Sequence, residues 1–181
     1  PIGNTHVALS PDFCDGIIVS PGSAAVALNA DCPLVCVGEL GGERRLALLH
    51  AGLKCLIRAD GEPGIIEVLF SQHGFSTEDS LVRVGFGIGP CCYGLDTVPP
   101  GTIVTEGDAV AEKGPRAGKH AVDLYALIGQ QLRVLGVPPR RIDIDTRCTA
   151  CDGRDAGAPR FHSNVYDGPN VLAILDANNN L

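Results

Sequence analysis

The stretch "ALNADCPLVCV" (residues 27–37) is an apolar run of strand character into which Asp31 and Cys32 are set side by side. Cysteine packs as a small hydrophobe, so the whole stretch can be read as core. It can also be read as a strand that delivers a thiolate to a site, with Asp31 holding a neighbouring group. The residues on either side carry the same pattern outward. "DGIIVS" (15–20), "AAVALNADCPLVCVG" (24–38) and "RRLALLHAG" (44–52) read as three successive strands punctuated by PG and GG turns.

Further along, residues 53–72 are more polar with an apolar stripe, interrupted by "GEPG", which predicts a helix broken at Pro63. "SLVRVGFGIGP" (80–90) is a strand running into a glycine-rich turn. Its G-x-G-x-G spacing lacks the following helix and acidic partner of a dinucleotide site, so the turn is the reading kept. "AVDLYALIGQQLRVLGV" (121–137) places Val122, Leu124, Leu127, Ile128, Leu132 and Leu135 at helical spacing, with Asp123 near its start and Gly136 near its end. "RIDIDTRC" (141–148) alternates as a strand, and "NVLAILD" (170–176) reads as a short final one. Residues 96–118, rich in Gly, Pro and charge, read as an irregular surface loop. The expectation is an α/β fold: one domain over residues 1–181, with a mixed, largely antiparallel central sheet flanked by helices.

Composition narrows the function classes. The 181 residues are 45% hydrophobic, 19% charged and only 4% aromatic, so a sizeable core must be built from Val, Ile, Leu and Ala. The net charge is -7 and the Arg pairs at 44–45 and 140–141 are isolated, which argues against extended nucleic-acid binding. No apolar run reaches the length of a membrane span and no signal peptide opens the chain, so a cytoplasmic location is expected. Eight cysteines sit largely in strand-like or helix-like runs, which reads as reduced thiols rather than a disulfide framework. Cys148 and Cys151 form a CxxC, but no second CxxC answers it, so a structural zinc ribbon is not expected. Metal binding or nucleophilic chemistry remains for a subset of the thiols.

Three candidate soft-metal ligands lie near strand ends: His6, Cys32 and His50. One hairpin-like connection separates Cys32 from His50, so the two can meet on adjacent strands. Two imidazoles and a thiolate with an open fourth position make a catalytic zinc site able to acidify water or polarise a substrate oxygen. The plain alternative is scattered structural His and Cys. His73 and His120, in polar surroundings, read as surface residues.

The order "DG..VS.PG.A..L.ADCPLV", "LLHAG", "GIGPCCYG", "VDL....QL...GV" and "CTACD......F.S....DG" resembles the multicopper polyphenol oxidase, or laccase-domain, family over nearly the whole chain. The resemblance implies a zinc-dependent purine nucleoside enzyme of the phosphorylase or adenosine deaminase type. It assigns His6, Cys32 and His50 as the metal ligands. Cys32, His50 and Lys54 become the catalytic set, and Cys91, Cys92, Phe161, His162 and Ser163 the substrate region. Copper is expected only as an adventitious substitute for zinc. A multicopper cluster consumes many imidazoles, and the chain has five His and no Met.

The departures from the family pattern bear on the reaction. Leu53, Lys54 and Cys55 stand where the family has Trp-Arg-Gly, and Val165 and Tyr166 where it has paired arginines; "GPN" replaces a terminal Gly-Arg, and the expectation is a domain lacking the family's usual N-terminal segment. Arginine grips phosphate through a bidentate fork that Lys54 cannot reproduce. Phosphorolysis is therefore less expected than hydrolysis or deamination. Two other readings stay open: a cysteine hydrolase or deamidase in which His50 activates Cys32, and a metal-binding domain that has lost turnover.

Overall fold

The computed structural model describes residues 14–27, 30–58, 61–104, 111–112, 114–154 and 156–168. Seven strands and four helices order them. β1 (Gly16–Val19), β2 (Leu34–Glu39) and β3 (Leu46–His50) lead into α1 (Leu53–Leu56) and α2 (Ile65–Gln72), then β4 (Ser80–Val84), β5 (Gly94–Leu95) and β6 (His120–Ala121). α3 (Leu124–Val134), β7 (Ile142–Ile144) and α4 (Asn164–Asp167) follow. The main sheet has the order β1-β3-β2-β4-β7, antiparallel except for the β4–β7 pair, and β5 and β6 form a separate antiparallel ribbon. The parallel pair needs a long crossover, which α3 supplies.

Side-chain alternation decides which face is core. Val35 and Val37 of β2, Ala47 and Leu49 of β3 and Val82 and Val84 of β4 are buried and in mutual register. They join Ile66, Leu69 and Phe70 of α2 and Leu124, Leu127, Ile128 and Leu132 of α3 in one cluster. α3 starts where its sequence says it should: the Asp123 carboxylate accepts a hydrogen bond from the Ala126 amide at 2.9 Å. It stops at Gly136, whose φ of 90° suits glycine. The opposite sheet face is more open and exposes Ile17, Leu46 and Leu81.

The expected mixed, mostly antiparallel sheet is present, with shorter elements than the sequence patterns imply. The 24–38 run is not one strand. Its regular part begins only at Leu34, because Asp31 adopts a φ of 87° and Pro33 follows, so Asp31 and Cys32 sit in the turn that enters β2. The helix expected over 53–72 is two helices, with Pro63 immediately ahead of the residue that caps α2. The 141–148 strand shortens to three residues. Within 96–118, residues Gly114–Arg116 form a 3-10 turn and Val104 bridges Val122. The final strand expected over 170–176 lies outside the described residues.

The β2–β3 hairpin is clasped by a bidentate ion pair. Arg45 reaches Glu39 through Nη2 at 2.8 Å and Nε at 2.9 Å, and its guanidinium lies 4.5 Å from the Phe75 ring centre. The Arg45 hydrogen bonds hold the Glu39 carboxyl below its ordinary range. A carboxyl depressed in the folded state adds stability that is complete above its unfolded pKa of 4.5 and is lost as pH falls through the folded value. Denaturant unfolding from neutral pH down past pH ~4 should therefore show a loss of stability that Glu39→Gln flattens. An identical acid limb in the variant contradicts this assignment.

Candidate metal and substrate site

The register of β2 and β3 builds the first part of the site. Leu34 pairs with His50, and the Ala51 amide donates to the Pro33 carbonyl at 2.9 Å, so Cys32 is carried to the same sheet end as His50. Between them lies Gly52. A Cβ built there would stand 3.1 Å from the Cys32 Sγ and 3.3 Å from the His50 Nε2, so thiol and imidazole converge on one point of bare backbone. On the other side of the ring, His50 Nδ1 lies 3.2 Å from Asp15 Oδ1 and 3.6 Å from Cys55 Sγ. A carboxylate only accepts, so Nδ1 donates to Asp15, and Nε2 is the ring nitrogen turned to the Cys32 side. A carboxylate behind an imidazole in this way is the usual support of a metal-bound histidine. Burial, then the Asp31 charge, pushes the Cys32 thiol up. Cys55 is pushed up to about 11 by burial and by Asp15, so it stays protonated.

Asp31, the acid beside Cys32, is 6% exposed and fully engaged. Its carboxylate accepts from Thr149 Oγ1 at 2.7 Å and from the Val165 amide at 2.9 Å, and its carbonyl accepts from the Ile88 amide at 2.5 Å. Gly87 lies against this turn so closely that a Cβ would fall 2.7 Å from the Asp31 carbonyl oxygen and from Pro33 Cγ. The Gly87 amide donates to the Tyr125 hydroxyl at 2.6 Å, and that hydroxyl donates to the Arg147 carbonyl at 3.1 Å. The turn after β4, the loop after β7 and the start of α4 are thus all tied to the turn that bears Cys32.

The same loops bring four thiols together. Cys91 and Cys92 follow β4, and Cys148 and Cys151 follow β7; all four Sγ atoms lie within 4.8 Å of one another. The CxxC is met by a vicinal pair, which a search for a second CxxC overlooks. This cluster can hold a metal ion. Cys91 and Cys151 Sγ are 3.6 Å apart, and the eight cysteines are all free thiols. Cys148 is the thiol that ionises first, brought down to about 5 by the Cys91 S–H and by the amides of Gly89, Ala150 and Cys151, while Cys91 moves strongly upward.

A cleft of about 790 Å³ is lined by Leu53, Lys54, Ile57, Arg58, Tyr93 and Leu95, among others; Leu53 follows Gly52 in the chain, while Cys32 and His50 are not in its wall. Burial and the nearby Cys32 push the Tyr93 hydroxyl up. Lys54 is exposed at the cleft wall. Phe161 is half-buried and stacks on Phe86 with ring centres 4.1 Å apart, and the Arg147 guanidinium covers both rings. His162 Nδ1 is 3.7 Å from the Asp167 carboxylate, and its Nε2 is buried with no hydrogen-bond partner. Ser163 is fully buried, and its side chain accepts from the Tyr166 amide at the start of α4. Cys92 is fully buried and Cys91 half-buried, both within the thiol cluster. His6 lies outside the described residues, so the structure brings together two of the three expected ligands, Cys32 and His50. His73 and His120 are exposed. Sequence reasoning missed Asp15, whose only signal is its place at the foot of β1, where its carbonyl accepts from the His50 amide at 2.7 Å. It also missed Cys55, five residues beyond His50, and Thr149, whose role exists only once a loop distant in sequence is packed onto Asp31.

The pattern that defines the family described as multi-copper polyphenol oxidoreductase laccase matches residues 4–167. A purine nucleoside phosphorylase, YlmD of Geobacillus stearothermophilus, is 31% identical over 150 residues, covering 76% of this chain and 51% of that protein. Mouse LACC1, also a purine nucleoside phosphorylase, is 27% identical over 173 residues, covering 88% of this chain and 36% of its own length. The chain thus spans about half the length of the bacterial relative. The crystal structure of the same YlmD superposes with a TM-score of 0.60 at 25% identity, over 84% of this chain and 56% of that one. That of Neisseria meningitidis NMB0706 superposes with a TM-score of 0.61 at 22% identity, over 85% and 60%, and supports the fold alone. With the family pattern matched over residues 4–167 and the fold superposing on that of YlmD, this chain belongs to the laccase-domain family.

Proposed function

We propose that the chain is a zinc-dependent enzyme acting on purine nucleosides or a related small heterocycle, with Cys32, His50 and His6 as the metal ligands. The observation that carries this reading is the convergence of Cys32 Sγ and His50 Nε2 on the Gly52 backbone, with Asp15 behind the imidazole. The donor set fits zinc: a thiol, an imidazole nitrogen backed by a carboxylate, and room at a glycine where any side chain would intrude. A zinc ion bound there supplies Lewis-acid polarisation of an oxygen or acidified water. The chain's own residues supply the rest. Asp15 fixes the His50 ring, and Asp31 fixes the turn that aims Cys32. The cleft walled by Leu53 and Tyr93 admits a small ligand, and Lys54 in its wall offers a point charge to an anionic group. The cleft volume lies within the range of ordinary small-molecule sites.

A cysteine hydrolase reading needs His50 to withdraw the Cys32 proton, and Asp15 behind Nδ1 would orient the ring for that role as well as for a metal. Against it stands Cys32 itself, a half-buried thiol pushed up by burial and by the neighbouring Asp31 carboxylate, the reverse of the electropositive setting that favours a thiolate. Cys32→Ser should lower zinc content and activity together, with part of the activity restored by added zinc. Selective iodoacetamide labelling of native Cys32 that chelators leave unchanged, with activity independent of metal, would favour the hydrolase instead.

The co-substrate follows from the missing arginines. Val165, at one of those positions, spends its amide on Asp31, and Tyr166 lies under Arg154, which is itself paired with Asp167 at 2.9 Å. A phosphate site without its bidentate arginine is weaker by roughly 1.5–3 kcal/mol per charged hydrogen bond, about tenfold or more in phosphate affinity. Adenosine and inosine incubated with and without phosphate should show no phosphate acceleration, with free base or ammonia as the product. Clear ribose 1-phosphate production contradicts this and points to Lys54 and Arg58 as a replacement phosphate grip. No turnover in the zinc-loaded protein supports the reading of a metal-binding domain without catalysis.

A further inference from the structure

We propose that Cys91, Cys92, Cys148 and Cys151 form a second, closed tetrathiolate zinc site that is structural and that props the Cys32 turn through Thr149. Four sulfurs around one zinc at about 2.3 Å stand roughly 3.8 Å apart in a tetrahedron. The four Sγ atoms here lie within 4.8 Å of one another, with Cys91 and Cys151 3.6 Å apart. That spread fits a single ion better than an iron–sulfur cluster, whose ligand sulfurs are held further apart by the metal–sulfide core. All-thiolate ligation selects soft metals, and a tetrahedral four-sulfur set at one ion is the signature of structural zinc.

The surroundings are those of a closed site. Cys92 is fully buried and Cys148 nearly so. The Gly89 amide donates to Cys148 Sγ at 3.2 Å, and the missing Gly89 side chain leaves room for sulfur: a Cβ there would lie 3.3 Å from Cys91 Sγ and 3.6 Å from Cys148 Sγ. The ligands come from two loops that the backbone already joins, through the Gly87–Cys148 bridge and the Thr149 amide donating to the Gly87 carbonyl at 2.8 Å. Loading the site replaces thiol protons with metal–sulfur bonds, so zinc binding releases protons and changes no oxidation state.

Thr149 lies inside the Cys148–Cys151 knuckle, and its hydroxyl donates to Asp31 at 2.7 Å. A metal that fixes the knuckle therefore fixes the donor that orients the turn bearing Cys32. The site is distinct from the Cys32–His50 pair, so it is tested with that pair disabled. The full chain carrying both Cys32→Ser and His50→Ala, purified without added metal, should retain about one equivalent of zinc. X-ray absorption should show an all-sulfur shell, and cobalt substitution should give intense thiolate-to-metal charge-transfer bands. In the wild-type chain, Cys151→Ser, the most accessible change, should replace one sulfur by a lighter ligand. Absence of zinc from the double variant overturns the proposal, as does a shell rich in nitrogen or oxygen. A Cys91–Cys151 disulfide found by peptide mapping of the freshly purified protein overturns it as well. None of these results bears on zinc at Cys32 and His50, which the single variants test separately.

Discussion

A buried carboxylate has to be matched by donors, and Asp31 is matched by donors from three places in the chain. Thr149 and Val165 serve its side chain, and the Ile88 amide serves its carbonyl. Hydrogen bonds to a charged acceptor contribute about 1.5–3 kcal/mol each, and an unmatched buried charge costs more than that. The left-handed backbone at Asp31 is tolerated because this network over-determines it. Its consequence is local but decisive. Pro33 and β2 are launched in the register that brings Cys32 beside His50, while the loops after β4 and β7 are drawn onto the same sheet end.

The two sulfur-bearing centres divide the work by their surroundings. Around Cys32 and His50 the protein supplies two candidate ligands and an orienting carboxylate, which suits the open catalytic position proposed for them. Around Cys91, Cys92, Cys148 and Cys151 it supplies four thiols, burial and backbone donors, the arrangement of a site with nothing left to offer a substrate. Thr149 and Asp31 join them mechanically. The family resemblance assigns Cys91 and Cys92 to a substrate region; in the structure they lie with Cys148 and Cys151, and Tyr93, next in the chain, lines the cleft.

Much of the fold is legible in the sequence because its signals are local. Apolar runs punctuated by turn residues mark β1 to β4, Asp123 and Gly136 bound α3, and Pro63 splits the helical stretch as its chemistry requires. The Cys32–His50 encounter is legible too, since a hairpin brings its two strands together by register. What is not legible depends on contacts between segments far apart in sequence. Asp31 to Thr149, Asp31 to Val165 and the vicinal cysteines to the CxxC all join residues more than fifty positions apart. No periodicity encodes such pairs. An apolar run does not reveal a positive φ at an aspartate, so the pattern at 24–38 overstates the strand.

On the proposed function Asp31 aims Cys32 at zinc, and the most direct measurement of that is zinc affinity in an Asp31→Asn variant. The asparagine preserves shape but cannot accept from both Thr149 and Val165. The relevant quantity is the competition-titration step that His50→Ala abolishes, read under conditions where the fold is intact by circular dichroism. The account predicts that this step weakens about 10–100-fold, the range found when the support of a metal ligand is removed. An unchanged affinity in a folded Asp31→Asn chain would contradict it.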